Sequence, residues 1–190
     1  MSEVQGFDAG YLTLPSSLTS EGKDFISYWD SLREGRYFPD RKDIEPGAIK
    51  RLLPYIVIHD LVSPNLIRLR LIGTAVAEDY EKDITGWNYL DMVEPARREA
   101  ASRALFILHD TPAGMSVTLR STTRSGNSWT RQTIDLPISD LRSNRKLIIS
   151  CSLRAKSGMS AVPGNPELRV QQITSREFFD IGAGIPYHPE

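Results

Sequence analysis

Cysteine is nearly absent from this chain of 190 residues: Cys151 stands alone, so neither an intramolecular disulfide nor a multi-thiolate metal site can form. Histidine is scarce as well. His59, His109 and His188 are too far apart in sequence to make a recognisable zinc motif, and no metal is expected. Charge of one sign is also missing. With 23 basic and 24 acidic side chains the formal net charge is -1, which gives no global field to attract nucleic acid or an anionic membrane surface. No apolar run is long enough to span a bilayer, and Met1 to Asp8 lack the basic flank and apolar stretch of a secretory signal, so a cytoplasmic location is expected. A phosphoacceptor histidine with a Gly-rich ATP site, a Walker loop, a helix-turn-helix and a cyclase signature are all absent, and the chain reads as a non-enzyme.

What is present has the length of one domain with a sizeable core. Residues 1–19 hold Gly, Ser, Thr and Pro without a lasting period and read as an extended arm. From Ser20 as N-cap, Phe25, Ile26, Trp29 and Leu32 share one helical stripe, and Gly35 suits the left-handed stop. Pro46 can open a short second helix with Ile49, Leu52 and Leu53 inward, ended by Pro54. Tyr55 to Val62 and Leu66 to Gly73 read as a hairpin across Ser63-Pro64-Asn65. The first of these strands is apolar on both alternating sets and belongs near the centre of a sheet; the second alternates and belongs nearer an edge.

Thr74 can cap a short helix to about Tyr80, short helical turns follow through Val93, and Glu94-Pro95 opens a longer helix ending near His109 or Asp110. Gly114 to Thr123, Ser128 to Ile138 and Lys146 to Arg154 then form an antiparallel meander. The order predicts an α+β fold around an antiparallel sheet of about five strands, with short helices on one face and an N-terminal helical extension. Residues 20–154 form the domain, and residues 155–190 a Gly/Pro-rich tail packed on it, with room for one short strand near Leu168 to Thr174.

The run Trp29-Asp30-Ser31-Leu32-Arg33-Glu34-Gly35-Arg36, then Phe38-Pro39-Asp40-Arg41, Asp43-Ile44-Glu45-Pro46 and Leu52-Leu53-Pro54, resembles the opening of short, stand-alone PAS-domain proteins common in alphaproteobacteria. Arg70-Leu71 with Gly73-Thr74, and Thr85-Gly86, continue the resemblance to about residue 154. It implies a PAS-like fold and a sensory or interaction module of bacterial signalling. Such a module acts through contact with a partner such as a histidine kinase or another regulator, with a small ligand in its core. Because the matching residues are turn and packing residues, fold is implied more strongly than ligand.

The more apolar row of each strand points to a ligand space near Leu69, Leu71, Val117, Leu119, Ile149 and Cys151, covered by Trp87, with His59 as a polar contact. His109, on the long helix, could ligate haem as some PAS histidines do, or simply sit solvated at a helix C-terminus. Cys151 lacks the Asn-Cys-Arg-type context of flavin photosensors and reads as a packing residue, so neither haem nor flavin is expected. Arg33, Arg36 and Arg41 alternate with Glu34, Asp40 and Asp43 and read as mutual ion pairs before an anion clamp. Trp87, Tyr89, Trp129 and Tyr187 could stack on a planar ligand, or fill core and rim. The stripe Phe25, Ile26, Trp29 and Leu32 could be buried in a homodimer or on the chain's own sheet, and a homodimer is expected. Two other readings remain: a cone-shaped isomerase or dehydratase using His59 or Asp135 as acid or base, and a ligand-free scaffold.

Overall fold

A computed structural model describes residues 12–80, 83–123, 128–154 and 168–188. Residues 1–11 of the arm expected at 1–19, and residues 155–167 of the expected tail, lie outside the described residues. The first helix, α1 (Ser20–Ser31), is capped one residue earlier than expected: the Thr19 hydroxyl oxygen accepts from the Gly22 N–H at 3.1 Å. Gly35 takes a φ of 80°, a left-handed conformation that favours glycine, and stops the chain from continuing as helix. Beyond it, tight 3-10 turns at Arg41–Asp43, Pro46–Ile49 and Leu53–Tyr55 replace the expected second α-helix. Proline at positions 46 and 54 and glycine at 47 make a regular helix unfavourable over so short a span.

Six strands form one antiparallel sheet: β1 (Ile56–Ser63), β2 (Leu66–Ile72), β3 (Ala113–Thr123), β4 (Ser128–Asp140), β5 (Arg145–Arg154) and β6 (Leu168–Asp180). Their spatial order is β2-β1-β5-β4-β3-β6. β1 is internal and β2 lies at an edge, as their patterns require. The sixth strand is the main departure. The 155–190 segment contributes thirteen residues of β6 along β3, from Ala113 opposite Asp180 to Thr123 opposite Leu168, where only a short strand was expected. Its mixed composition hid it, because an edge strand takes half of its stabilisation from the neighbour's backbone and needs no apolar run.

Both faces of the sheet are covered. On the outer face α1 packs over Ile56 and Ile58 of β1, Leu147, Ile149, Cys151 and Leu153 of β5, and Ile134, Leu136 and Ile138 of β4. The inner face carries α2 (Thr74–Tyr80), the turns around Tyr89–Met92 and α3 (Arg98–Asp110). Ala101, Ala104, Leu105 and Leu108 of α3 pack there on Ile148, Ala113, Met115 and Val117.

The α1 stripe is therefore not an intermolecular surface. Phe25 and Ile26 are 0% exposed and Trp29 2%, all against the chain's own sheet, with Leu32 half-buried. This corrects the expectation of a dimer through Phe25, Ile26, Trp29 and Leu32: intramolecular burial already removes this apolar surface from water, at about 1.5 to 3 kcal/mol per large side chain. The Trp29 indole N–H also donates to the Pro137 carbonyl at 3.0 Å. Of the arginines of the same region, Arg36 pairs within the expected acids, whereas Arg33 and Arg41 turn to Asp30 and Asp140. Arg33 forms an ion pair with Asp30 and donates to the Ile181 carbonyl at 2.6 Å, while Arg36 meets Asp43 at 2.7 Å.

Gly73 joins β2 to α2 in a space with no room for a side chain. Its N–H donates to the Ile56 carbonyl at 2.7 Å, and a Cβ would fall on the Pro54 carbonyl. Close backbone approach, and not a left-handed turn, is what requires glycine here.

Two stability outcomes follow from this packing. Ile26→Glu places an unpaired charge in the outer core and is expected to lower unfolding free energy by about 3 kcal/mol or more, whereas Ser27→Glu on the exposed side changes it by less than about 0.5 kcal/mol. Folded monomers of Ile26→Glu from a dimeric parent would contradict the assignment. Gly73→Ala is expected to lose about 1 to 3 kcal/mol in urea unfolding, and Gly47→Ala, with open space around it, to stay within about 0.5 kcal/mol.

Candidate functional site

The inner face and its covering helices enclose a cavity of about 440 Å³. Its floor can be read from strand register. Val57 of β1 stands opposite Ser150 of β5, Ser150 opposite Asp135 of β4, and Asp135 opposite Met115 of β3. One step along, Ser152 faces Thr133, Thr133 faces Val117, and Val117 faces Arg176 of β6; the next step brings Arg131, Leu119 and Ile173 together. The roof is mixed: Val76, Ile84, Ala101 and Leu105 supply apolar contacts, and Asp91, Glu94, Arg97 and Arg98 also line the cavity. The result is a cavity with polar groups on β4 and β5 beneath covering helices that supply apolar surface, features of a small-molecule site.

Two groups of polar contacts organise the floor. At one end, Ser150 Oγ donates to Asp135 Oδ1 at 2.6 Å and lies 3.2 Å from His59 Nδ1. Because the serine proton goes to the carboxylate, the imidazole must carry its proton on Nδ1 and donate it to the serine oxygen. The His59 ring meets Tyr89 edge to face at 5.3 Å. Burial drives His59 from 6.5 down to about 4, so the imidazole is neutral. Asp135 moves the other way, to about 6: burial raises it, while the Ser150 bond and the Arg176 charge hold it back. The Tyr89 phenol is pushed far above its ordinary value by burial, with the charge of Asp135 adding to it. At the other end, Arg131 is ion-paired with Asp79 of α2 and donates to Ser152 Oγ at 3.2 Å, while Arg154 reaches the same Asp79 at 3.4 Å. Burial, helped by the neighbouring Arg154, lowers Arg131 to about 10, still well above neutrality.

The residues read from the sequence divide between the two faces. His59, Leu69, Val117 and Leu119 line the cavity together. Leu71, Ile149 and Cys151 do not: they belong to the outer face, and their placement as ligand contacts is corrected. In β2 an extra residue at Arg70 shifts the register, pairing Leu69 with His59 but Leu71 with Ile58, and so sends the two leucines to opposite faces. In β5 the more apolar row, with Ile149 and Cys151, is the one beneath α1. Burial there raises the Cys151 thiol to about 12. Trp87 does not cover the cavity. Its carbonyl accepts from the Leu69 N–H at 2.9 Å at the β2 edge, and the residue is 44% exposed. His109 lies outside the cavity, its Nε2 2.8 Å from the Leu147 carbonyl and its ring 4.8 Å from Phe38. His188 lies against Phe178, and the Trp129 side chain is outside what is described.

Ser150, Ser152, Thr133, Arg131 and Arg176 were not read from the sequence as site residues. The signal was present: in β5 Ser150 and Ser152 alternate with the apolar row of a strand that is internal to the sheet, and polar groups there must have partners. Among the described residues no three His, Cys, Asp or Glu converge on a metal position.

A family model described as PAS domain matches residues 18–151 of this chain. No curated protein matches it. Among solved structures, one of an RNA-binding light-oxygen-voltage receptor is similar at 14% identity and a TM-score of 0.40, over 57% of this chain and 32% of that one. This chain thus spans about a third of that receptor's length.

The two buried titrations predict an unusual pH profile. Asp135, raised in the fold, contributes stability that is full below about pH 3.8 and lost as pH rises through about 6. His59, lowered in the fold, contributes stability that is full above about pH 6.5 and lost as pH falls through about 4. The slopes oppose each other in the same window, each reaching about 1.4 kcal/mol per pH unit. Urea unfolding of Asp135→Asn between about pH 4 and 6.5 should therefore show stability rising with pH, and His59→Gln stability falling. Slopes of the same sign in both variants would refute the assignment.

Proposed function

The chain belongs to the PAS-domain family, and from that premise we propose that it is a signalling module that binds a small molecule in the inner cavity and passes occupancy on to a partner protein. PAS domains are as a class sensory or interaction modules rather than catalysts, and commonly act on signalling proteins. The observation that carries the ligand half of the reading is the floor: buried polar side chains of β1, β4 and β5 converge on a space that the covering helices leave open. A ligand-free scaffold would fill that space with aliphatic side chains, because unfilled volume weakens packing and buried polar groups cost free energy.

The partner half rests on the family. A histidine kinase or another regulator of bacterial signalling is the partner class we propose, and the cytoplasm is the compartment that goes with it. Among the described residues no helix is long and apolar enough to cross a membrane. A homodimer would have to use a surface other than the α1 stripe.

Filling the cavity tests this reading. Val117 sits on the floor between Thr133 and Arg176, and Val117→Phe would occupy the central space with the loss of little else. Protein purified from its native host and extracted with denaturing solvent is expected to release one small molecule at near-equimolar amount from wild type. The variant, folded by circular dichroism, should release at least fivefold less. Crosslinking to the kinase or regulator partner should change with occupancy in wild type and not in the variant. Equal extraction from both proteins, or nothing from either, would overturn the ligand-binding half.

A further inference from the structure

Asp135 and Arg131 are the two charged residues that β4 presents to the cavity, and the structure treats them differently. Arg131 is ion-paired with Asp79 and donates to Ser152 Oγ, while its Nε has no hydrogen-bond partner among the described residues. Asp135 is 4% exposed, and its one hydrogen bond is the 2.6 Å contact of Oδ1 with the neutral Ser150; among the described residues it forms no ion pair. Oδ2 has no hydrogen bond among the described residues. Nearby, His59 is 7% exposed and uses only Nδ1, leaving Nε2 as a lone-pair acceptor, and the Tyr89 hydroxyl makes no hydrogen bond to the described residues. All three line the cavity. Two acceptors and one phenol thus line the same space with hydrogen-bonding capacity unfilled by the described residues.

The complement of two acceptors is a donor. We propose that this end of the cavity binds the N–H group of a small amphipathic amine or amidine, with Asp135 as its carboxylate partner, His59 and Tyr89 beside it, and the apolar body against Leu69, Val117, Ile84 and Leu105. The inference rests on the ligand-binding reading above and names its chemistry. An anion is disfavoured beside Asp135, since it would meet a carboxylate, and Arg131 on the same strand already has an ion-pair partner in Asp79. The titratable and charged groups facing Asp135 are His59 from β1, Arg176 from β6 and Tyr89 from the covering segment. Arg176 offsets part of the carboxylate's charge, so a neutral N–H donor fits as well as a cation. A charge-assisted N–H bond in this desolvated setting should be the anchor of affinity.

Benzamidine and benzoate, equal in ring size and opposite in charge, are the probes. In calorimetry with the full chain, benzamidine is expected to bind at millimolar concentration and benzoate to bind at least tenfold more weakly. Asp135→Asn should weaken benzamidine roughly tenfold, about 1.4 kcal/mol, while leaving the fold intact by circular dichroism. Wild-type binding should strengthen as pH rises through about 6, where the carboxyl ionises, while benzamidine remains a cation. Should Asp135→Asn fail to fold, Ser150→Ala supplies the second arm. It frees Asp135 Oδ1 and is expected to keep benzamidine binding within threefold of wild type. Benzoate binding more tightly than benzamidine, no binding of either, or benzamidine binding unaffected by Asp135→Asn would each overturn the proposal. The broader reading fails separately: a retained host molecule lost in Val117→Phe would keep the sensory module standing even if the amine chemistry were wrong.

Discussion

The docking of α1 through Trp29 is the constraint on which the rest of the fold depends. The indole is buried over the outer face and its N–H is held by the carbonyl of Pro137, inside β4. Arg33, one turn on, lies 5.1 Å from the same ring and bonds the Ile181 carbonyl just beyond β6. One short segment thereby fixes the helix to the middle of the sheet and to its last strand. A sheet covered on only one side would need that side for its main core. With Phe25, Ile26 and Trp29 supplying an apolar layer on the outer face, the inner face can carry serine, threonine, aspartate and arginine without losing the core.

That division explains the split in β5. Leu147, Ile149, Cys151 and Leu153 form one row under α1, and Ser150 and Ser152 belong to the other. The cavity therefore sits on the less apolar side of the strand. The inner coverings are held differently from α1. The short helix α2 is fastened to the floor by Asp79, which pairs with Arg131 and Arg154, and by the close approach of Gly73 to Pro54. Ahead of α3, the Asn88 side chain accepts from Ile67 N–H and donates to the Asn65 carbonyl, both at 3.0 Å, and clips the covering segment to the β2 edge. Polar fastenings of this kind add directional ties to the apolar contacts that Val76, Ala101, Leu105 and Leu108 make with the inner face.

Most of the architecture was legible because it is written in turn chemistry and period. Pro95 opening the 3-10 turn that leads into α3, Gly73-Thr74 after β2, and the apolar stripe of α1 each have a local cause that does not depend on the rest of the fold. The partner of that stripe was not legible, since a helix face records that it must be covered and not by what. Strand phase failed for a similar reason. Leu69 and Leu71 look equivalent in a regular strand, and only the extra residue at Arg70, visible in pairing to β1, separates them. β6 was underread because its pairing to β3 is a long-range fact about backbones. The site itself was half legible: His59 and Val117 followed from alternation, whereas Asp135 and Ser150 become a unit only when β4 and β5 lie side by side.

The polar floor also has a consequence for how occupancy could change the protein. A ligand shifts a conformational equilibrium only by the difference in its interaction with the two states. Asp135, raised to about 6, is buried beside a neutral serine, and the Arg176 charge offsets part of its own. Under the proposed ligand-binding reading, a group that satisfied the carboxylate would favour an arrangement that keeps water from it. Because Tyr89 belongs to the covering segment and His59 to the sheet, contact with all three would join the two layers across the cavity. In the sensory reading, it is this end of the cavity, rather than the apolar contacts shared by any hydrophobic occupant, that gives a ligand differential affinity for one state of the roof.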